Sequence, residues 1–183
     1  MIELFRKAIV DSLHSTFPHS VNIAPFAGQI TPAELARLGM NSPALRVAVL
    51  GTDGTESKGG APHATLAMAI FIITATGSGG QPAEAAALKL VGHVLAHTVG
   101  NRWGMDAAIP TNVRAENCHT GELNANNTAL WAVTFKQSVD ISSCLILPEL
   151  DDFLRCYVTH GTDDTAPTDI ITLKGASHAQ STT

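Results

Sequence analysis

The segment TLAMAIFIITAT, residues 65–76, constrains the fold most strongly, because an extended chain with this sequence is apolar on both faces. Its side chains alternate between two sets, Leu66, Met68, Ile70 and Ile72 on one face and Ala67, Ala69, Phe71 and Ile73 on the other. Such a pattern is typical of a central strand in a sheet, and the run is too short to span a bilayer. The sequence therefore predicts a central strand here, with small residues where a neighbour packs closely.

Apolar residues at helical spacing predict helices over residues 2–16, 31–38 and 82–98. The predictions depend on the stripe Ile2, Phe5, Ile9 and Leu13, on the capping residues Thr31, Pro32 and Glu34, and on the buried stripe Leu88, Val91 and Leu95, flanked by Ala87 and Val94.

Further strands are predicted over residues 45–51, 113–119 and 129–141. Because crossover helices do not separate all consecutive strands, the predicted fold class is α+β. We expect a mixed or antiparallel sheet of about four to six strands with helices packed on one face. A single domain is predicted over 1–175, followed by a polar, flexible tail over 176–183.

Two polar stretches are predicted to be loops. GTDGTESKGGAPH, residues 51–63, is rich in glycine and lacks apolar periodicity, and it does not have the GxxxxGK[ST] spacing of a phosphate-binding loop. TGELNANN, residues 120–127, joins two predicted strands as a hairpin tip. Two interpretations apply to both stretches: contact surfaces for a partner, or solvent-exposed loops.

The composition excludes several classes of protein. The net charge is -5 and no cluster of Lys and Arg occurs, which argues against tight binding to nucleic acid through phosphates. The three cysteines, an odd number without CxxC spacing, argue against a disulfide framework or a zinc ribbon and favour a reducing compartment. Charges interrupt the apolar positions of the first residues, which is unlike a signal peptide.

His93 and His97 lie four residues apart on the predicted third helix, and they pose the question of a metal site. Lys89 shares their face, and Val94 occupies the position where a zinc hydrolase motif has Glu. Contact with solvent or another subunit is therefore the favoured interpretation. The alternative is a small metal-dependent hydrolase that uses His93, His97 and also His63 or Asp106.

Other candidate reactive residues do not converge in the sequence. Asp151 and Asp152 are adjacent and diverge on any regular element, and Cys118 and His119 point to opposite faces of a strand. No GxSxG motif is present. We therefore predict no catalytic residue, no metal ligand and no cofactor, and a protein that is not an enzyme.

The order of segments resembles the tail terminator proteins of Mu-like phages and prophages. The resemblance covers nearly all of residues 2–173 and lies mainly in the pairing of ENCHTGELNANNTALWAVTFKQSV with the acidic ending LDDFL, DD and DIITL. It implies a virion protein of the tail-neck region, assembled in the host cytoplasm, that forms a ring of about six subunits and caps the tail tube.

The resemblance also implies partners: other copies of the chain, the tail tube protein and a head–tail connector or stopper protein, with no sequence-specific nucleic acid and no membrane. An alternative role is a head-completion or connector protein of the neck. Candidate contact residues in the polar segments and on the third helix are Asp53, Glu56, Lys58, Glu122, Asn124, Asn126, Lys89, His93 and His97.

Overall fold

The computed structural model describes residues 1–27, 32–76, 82–118, 128–142, 155–159 and 168–172. The chain divides into two compact units, Met1–Leu145 and Ile146–Thr183. The first unit contains the helices α1 (Ile2–Thr16), α2 (Pro32–Gly39) and α3 (Ala83–Thr98) and the strands β1 (Asn22–Pro25), β2 (Ala44–Lys58), β3 (Ala61–Ala75), β4 (Thr111–Asn117) and β5 (Thr128–Asp140).

The five strands of the first unit form one sheet in the order β1-β2-β3-β5-β4. β1 is parallel to β2 and the other neighbours are antiparallel, so the sheet is mixed and the predicted α+β class is confirmed. β3 lies at the centre, as predicted, with Ile72 opposite Leu45 of β2 and Trp131 of β5.

The main core lies on the face of the sheet that carries Leu66, Met68, Ile70 and Ile72, called here the inner face. α1 and α3 cover this face with buried side chains that include Phe5, Ile9, Leu13, Val91 and Val94. Burying one such side chain contributes about 1.5–3 kcal/mol, so the sheet and these two helices stabilise each other.

α2 packs on the opposite, outer face of the sheet. Its Leu38 lies in a cluster with Ala44, Ile73 and Leu130, and these three strand residues point away from the inner face. The prediction that helices pack on one face of the sheet therefore holds for α1 and α3. It does not hold for α2, which covers one end of the outer face. Thr31, the predicted cap of α2, lies outside the described residues.

α3 begins and ends close to its predicted bounds, and its buried stripe includes the predicted Ala87, Val91 and Val94 but is rotated away from Leu88. Its buried residues are Ala83, Ala87, Val91, Val94 and Thr98. Leu88, which was predicted to be buried, is 49% exposed. The small side chains at one end of the stripe allow the helix backbone to approach the sheet closely, which a stripe of leucines would prevent.

The predicted loop over 51–63 is wrong, because the chain forms a hairpin there. β2 continues to Lys58, Gly59 and Gly60 make the turn, and β3 starts at Ala61. Both turn glycines have positive φ, 59° and 87°, as a tight two-residue hairpin turn requires. Residues 51–60 are all exposed, so no face needs apolar side chains and the alternation that marks a strand is missing.

β4 and β5 confirm the two strands predicted on either side of residues 120–127. The hairpin tip itself lies outside the described residues, and so do its candidate contacts Glu122, Asn124 and Asn126. In the second unit, β6 (Arg155–Thr159) pairs antiparallel with β7 (Thr168–Thr172). The predicted single domain over 1–175 stays a prediction, and the predicted tail over 176–183 lies outside the described residues.

Candidate functional site

Among the described residues, the side of β2 that faces away from β3 is an unpaired sheet edge over most of its length. β1 pairs only with Ala44–Val47, at the beginning of β2. From Leu50 to Lys58 every residue is exposed, and no strand among the described residues pairs with that side. An exposed edge carries unpaired N–H and C=O groups that another strand can bind. We call Leu50–Lys58 the β2 edge.

The sheet has a second open edge at its other end. β4 pairs with β5, and its other side faces no strand in the part of the chain that the structure describes. We call Thr111–Asn117 the β4 edge. Three antiparallel pairings separate β2 from β4, so these two edge strands run in opposite directions. A β2 edge and a β4 edge from two molecules in the same orientation therefore match as an antiparallel pair.

The three candidate residues of the hairpin lie on the β2 edge. Asp53 Oδ2 forms an ion pair with Nζ of Lys136 on β5 at 2.6 Å. Glu56 Oε1 forms another with Nζ of Lys58 at 2.8 Å. These exposed pairs contribute little to stability. They give the edge fixed charges of both signs, which can select the register of a partner strand.

His63 lies at the hairpin end of β3, opposite Glu56 and Asp140. Hydrogen bonds from Ser142 lower the pKa of Asp140, and the nearby His63 lowers it further. By strand alternation this group lies on the outer face, whereas α3 covers the inner face. His63 therefore does not join His93 and His97.

His97 connects α3 to α1 and to the segment that follows α3. Its Nε2 lies 3.0 Å from Ser12 Oγ, and its ring lies 6.4 Å from Phe17 and 5.6 Å from Trp103, measured between centroids. Partial burial lowers the pKa of His97. The contacts explain the position of this histidine as part of the helix packing.

His93 and Lys89, both exposed, lie on the same helix and line a cavity. The cavity, about 650 Å³ in volume, is bounded by the end of α1, the Ser42–Pro43 segment, the end of β3 and α3. The rings of His93 and Phe17 pack nearly perpendicular to each other, with 6.5 Å between centroids. The structure thus brings Lys89 and His93 together at one site.

The described residues contain no group of three or more His, Cys, Asp or Glu side chains suited to hold a metal ion. Asp106, the other residue considered for such a site, is exposed in the segment between α3 and β4. His119, Asp151 and Asp152 lie outside the described residues.

Cys118 follows β4 as a free, half-buried thiol. Burial raises its pKa, and the charge of Glu116 raises it further. Because the thiolate is the reactive form, this environment makes Cys118 a weak nucleophile.

A buried polar network lies beneath the segment that follows α3. Trp103 donates its indole N–H to Gln137 Oε1 at 2.9 Å, and Gln137 Nε2 donates to the carbonyl oxygens of Ala108 at 2.6 Å and Asn101 at 3.2 Å. This network was not predicted from the sequence. The available signal was a polar Gln137 in the inner-face alternation of β5, between Phe135 and Val139.

Among the described residues, no helix has the length and apolar character that crossing a membrane requires. Comparison of the chain with models of known protein families and with curated proteins gives no match.

Proposed function

We propose that the protein is a structural virion protein that caps the head-proximal end of a phage tail tube, ends tube polymerisation and provides the head-joining surface. The observation that carries this proposal is the pair of open edges at opposite ends of one sheet. The resemblance to tail terminators supplies the biological context, and the edges supply a physical means of assembly.

A ring requires two different surfaces on each subunit, so that one surface of a molecule binds the other surface of its neighbour. The β2 edge and the β4 edge are two such surfaces. Their opposite strand directions suit antiparallel pairing when neighbours are related by rotation about an axis that lies roughly along the strands. Repeated pairing of this kind gives a closed ring with a continuous sheet.

The charge of the chain suits a ring through which DNA passes. With a net charge of -5, the subunit does not attract phosphates strongly as a whole. A channel wall of this kind lets DNA slide rather than holding it. This feature supports the proposal less strongly than the edges do, because many unrelated proteins are equally acidic.

The proposal is tested by electron microscopy of particles made without this protein. We expect tails of uncontrolled length, which do not join heads. Tails of normal length attached to heads would contradict the proposal. Tails of normal length that stay separate from heads would instead indicate the head-completion or connector role.

The role of the β2 edge is tested with two matched variants. Leu50 and Leu88 are both exposed leucines, at 57% and 49%, but only Leu50 lies on an open edge. We expect Leu50→Asp to reproduce the defect of the missing protein and Leu88→Asp to support normal particles. Equal behaviour of the two variants would show that the β2 edge is not an assembly surface.

A further inference from the structure

The cavity beside Lys89 has the walls of a small-molecule site. Its volume of about 650 Å³ falls within the range of ligand pockets, about 300–1,000 Å³. Much of its lining is apolar and includes Phe17, Val21, Pro43 and Leu90. Phe17 and Val21 are held by the core, with 8% and 6% of their surface exposed, so this wall exists before any ligand binds.

The polar groups of the cavity favour an anion. Lys89 and His93 lie one helical turn apart on α3 and both line the cavity, and the described residues that line it include no acidic side chain. Lys89 forms no ion pair with any described residue. Ser42 accepts a hydrogen bond from the backbone N–H of Ala75 at 3.2 Å, and its own hydroxyl proton can be donated to a ligand.

We propose that this cavity binds a small apolar carboxylate, with its hydrocarbon part against Phe17, Val21 and Leu90 and its carboxylate on Lys89. One lysine offers one full positive charge, which matches a monoanion better than a phosphate dianion. His93 and Ser42 donate further hydrogen bonds to the second carboxylate oxygen. The site lies within the first unit and does not depend on ring formation.

The experiment is a calorimetric titration of the full chain with decanoate, kept below its micelle concentration. We expect saturable binding with one site per chain. Lys89→Gln is expected to weaken decanoate binding about tenfold, since a charge-assisted hydrogen bond is lost. Lys7→Gln, which removes another exposed lysine from outside the cavity, is expected to leave the affinity unchanged.

Two further measurements locate the site and identify its chemistry. Ala86→Trp fills the cavity from α3 and is expected to abolish binding, and backbone NMR shifts on titration of the unsubstituted chain are expected at the lining residues. Decanol is expected to bind with equal affinity to the unsubstituted chain and to Lys89→Gln.

Any of three outcomes overturns the proposal: no saturable decanoate binding, decanoate binding equally well to Lys89→Gln, or NMR shifts away from the cavity. If Ala86→Trp does not fold, the NMR shifts decide the location of the site.

Discussion

At the scale of single residues, Gln137 has the clearest structural role. It is 1% exposed on an otherwise apolar face, and it satisfies one buried donor and two carbonyl oxygens. These bonds attach the segment that follows α3 to β5. Trp103, which belongs to that segment, adopts a positive φ of 57°. A hydrophobic residue of similar size fits the space but leaves three groups without partners, and buried unpaired polar groups are costly.

We therefore expect Gln137→Met to lower the free energy of unfolding by about 2–4 kcal/mol. Urea denaturation followed by tryptophan fluorescence measures the change. Ser138→Ala, at the neighbouring position on the outer face, is the control and is expected to change stability by less than about 0.5 kcal/mol. A neutral effect of Gln137→Met would mean that water replaces the lost partners.

His97 makes stability depend on pH in a definite direction. Burial lowers its pKa in the folded chain from the ordinary value of 6.5, so the unfolded chain binds more protons in mild acid. The contribution of neutral His97 to the free energy of unfolding is complete above pH 6.5. It is lost as the pH falls below that value toward the lowered pKa of His97 in the folded chain. We expect the free energy of unfolding to fall between pH 7.5 and 5.5, and to fall less in His97→Gln.

Urea denaturation at the two pH values tests this expectation. His19→Gln, at an exposed histidine between α1 and β1, controls for the loss of one histidine. The same pH dependence in His97→Gln and in the unsubstituted chain would remove His97 as the cause.

The burial of single residues was predictable from the sequence where a helix has only one apolar stripe. The stripe of α1 is an example, since Phe5, Ile9 and Leu13 are all buried as predicted. The prediction failed for Leu88, because two adjacent stripes of α3 are both apolar and only the sheet decides which one is buried. Contacts such as Ser12 with His97 join residues 85 positions apart, and no local pattern indicates them.

At the scale of elements, two glycines of α3 and its end have opposite effects on the stability of the protein. Gly92 lies in the middle of α3, exposed, with open space where a side chain would extend. Gly100 follows the end of α3 with φ of 76° and equally open space. Neither glycine is required for packing, so backbone conformation alone determines the effect of a substitution.

We expect Gly92→Ala to stabilise the protein by about 0.5–1 kcal/mol, because alanine favours a helix interior. We expect Gly100→Ala to destabilise it by about 1–2 kcal/mol, because alanine is strained at positive φ. Thermal denaturation of both variants tests the pair, with Gly100→Asn expected to be milder than Gly100→Ala. The same sign of change for both alanine variants would contradict this view of the helix end.

The elements themselves were predictable to different degrees. Helices and strands with one buried face begin and end within a few residues of their predicted bounds, because burial imposes a period on the sequence. The exposed half of the β2–β3 hairpin has no such period. Its remaining signal was the Gly59–Gly60 pair, which is typical of a two-residue hairpin turn.

At the scale of the whole molecule, the proposed assembly of this acidic chain depends on the two edges of the sheet. The edges offer backbone hydrogen bonds rather than an apolar patch, and register shifts after Val49 and Thr52 bend the β2 edge. Such irregularities discourage pairing with arbitrary strands. A partner edge must match the bend, and the β4 edge has its own irregularity between Thr111 and Arg114.

If subunits join through these edges, the inner face of one sheet must continue into the inner face of the next. Thr55 pairs with Ala64, and Ala115 with Val133, so both lie on the inner face; Arg114, opposite Thr134, lies on the outer face. Cysteines can form a disulfide only on the same face and with Cα atoms less than about 7 Å apart.

We therefore expect Thr55→Cys to cross-link with Ala115→Cys, or with Val113→Cys if the register differs by two residues, in a chain whose native cysteines are replaced by serine. Mild oxidation of assembled particles should give a ladder of covalent oligomers on a non-reducing gel, ending at the ring size. Thr55→Cys with Arg114→Cys places the thiols on opposite faces and should give no ladder. Cross-linking that is as strong for Arg114→Cys, or absent from both inner-face pairs, would show that the subunits do not join by a continuous sheet.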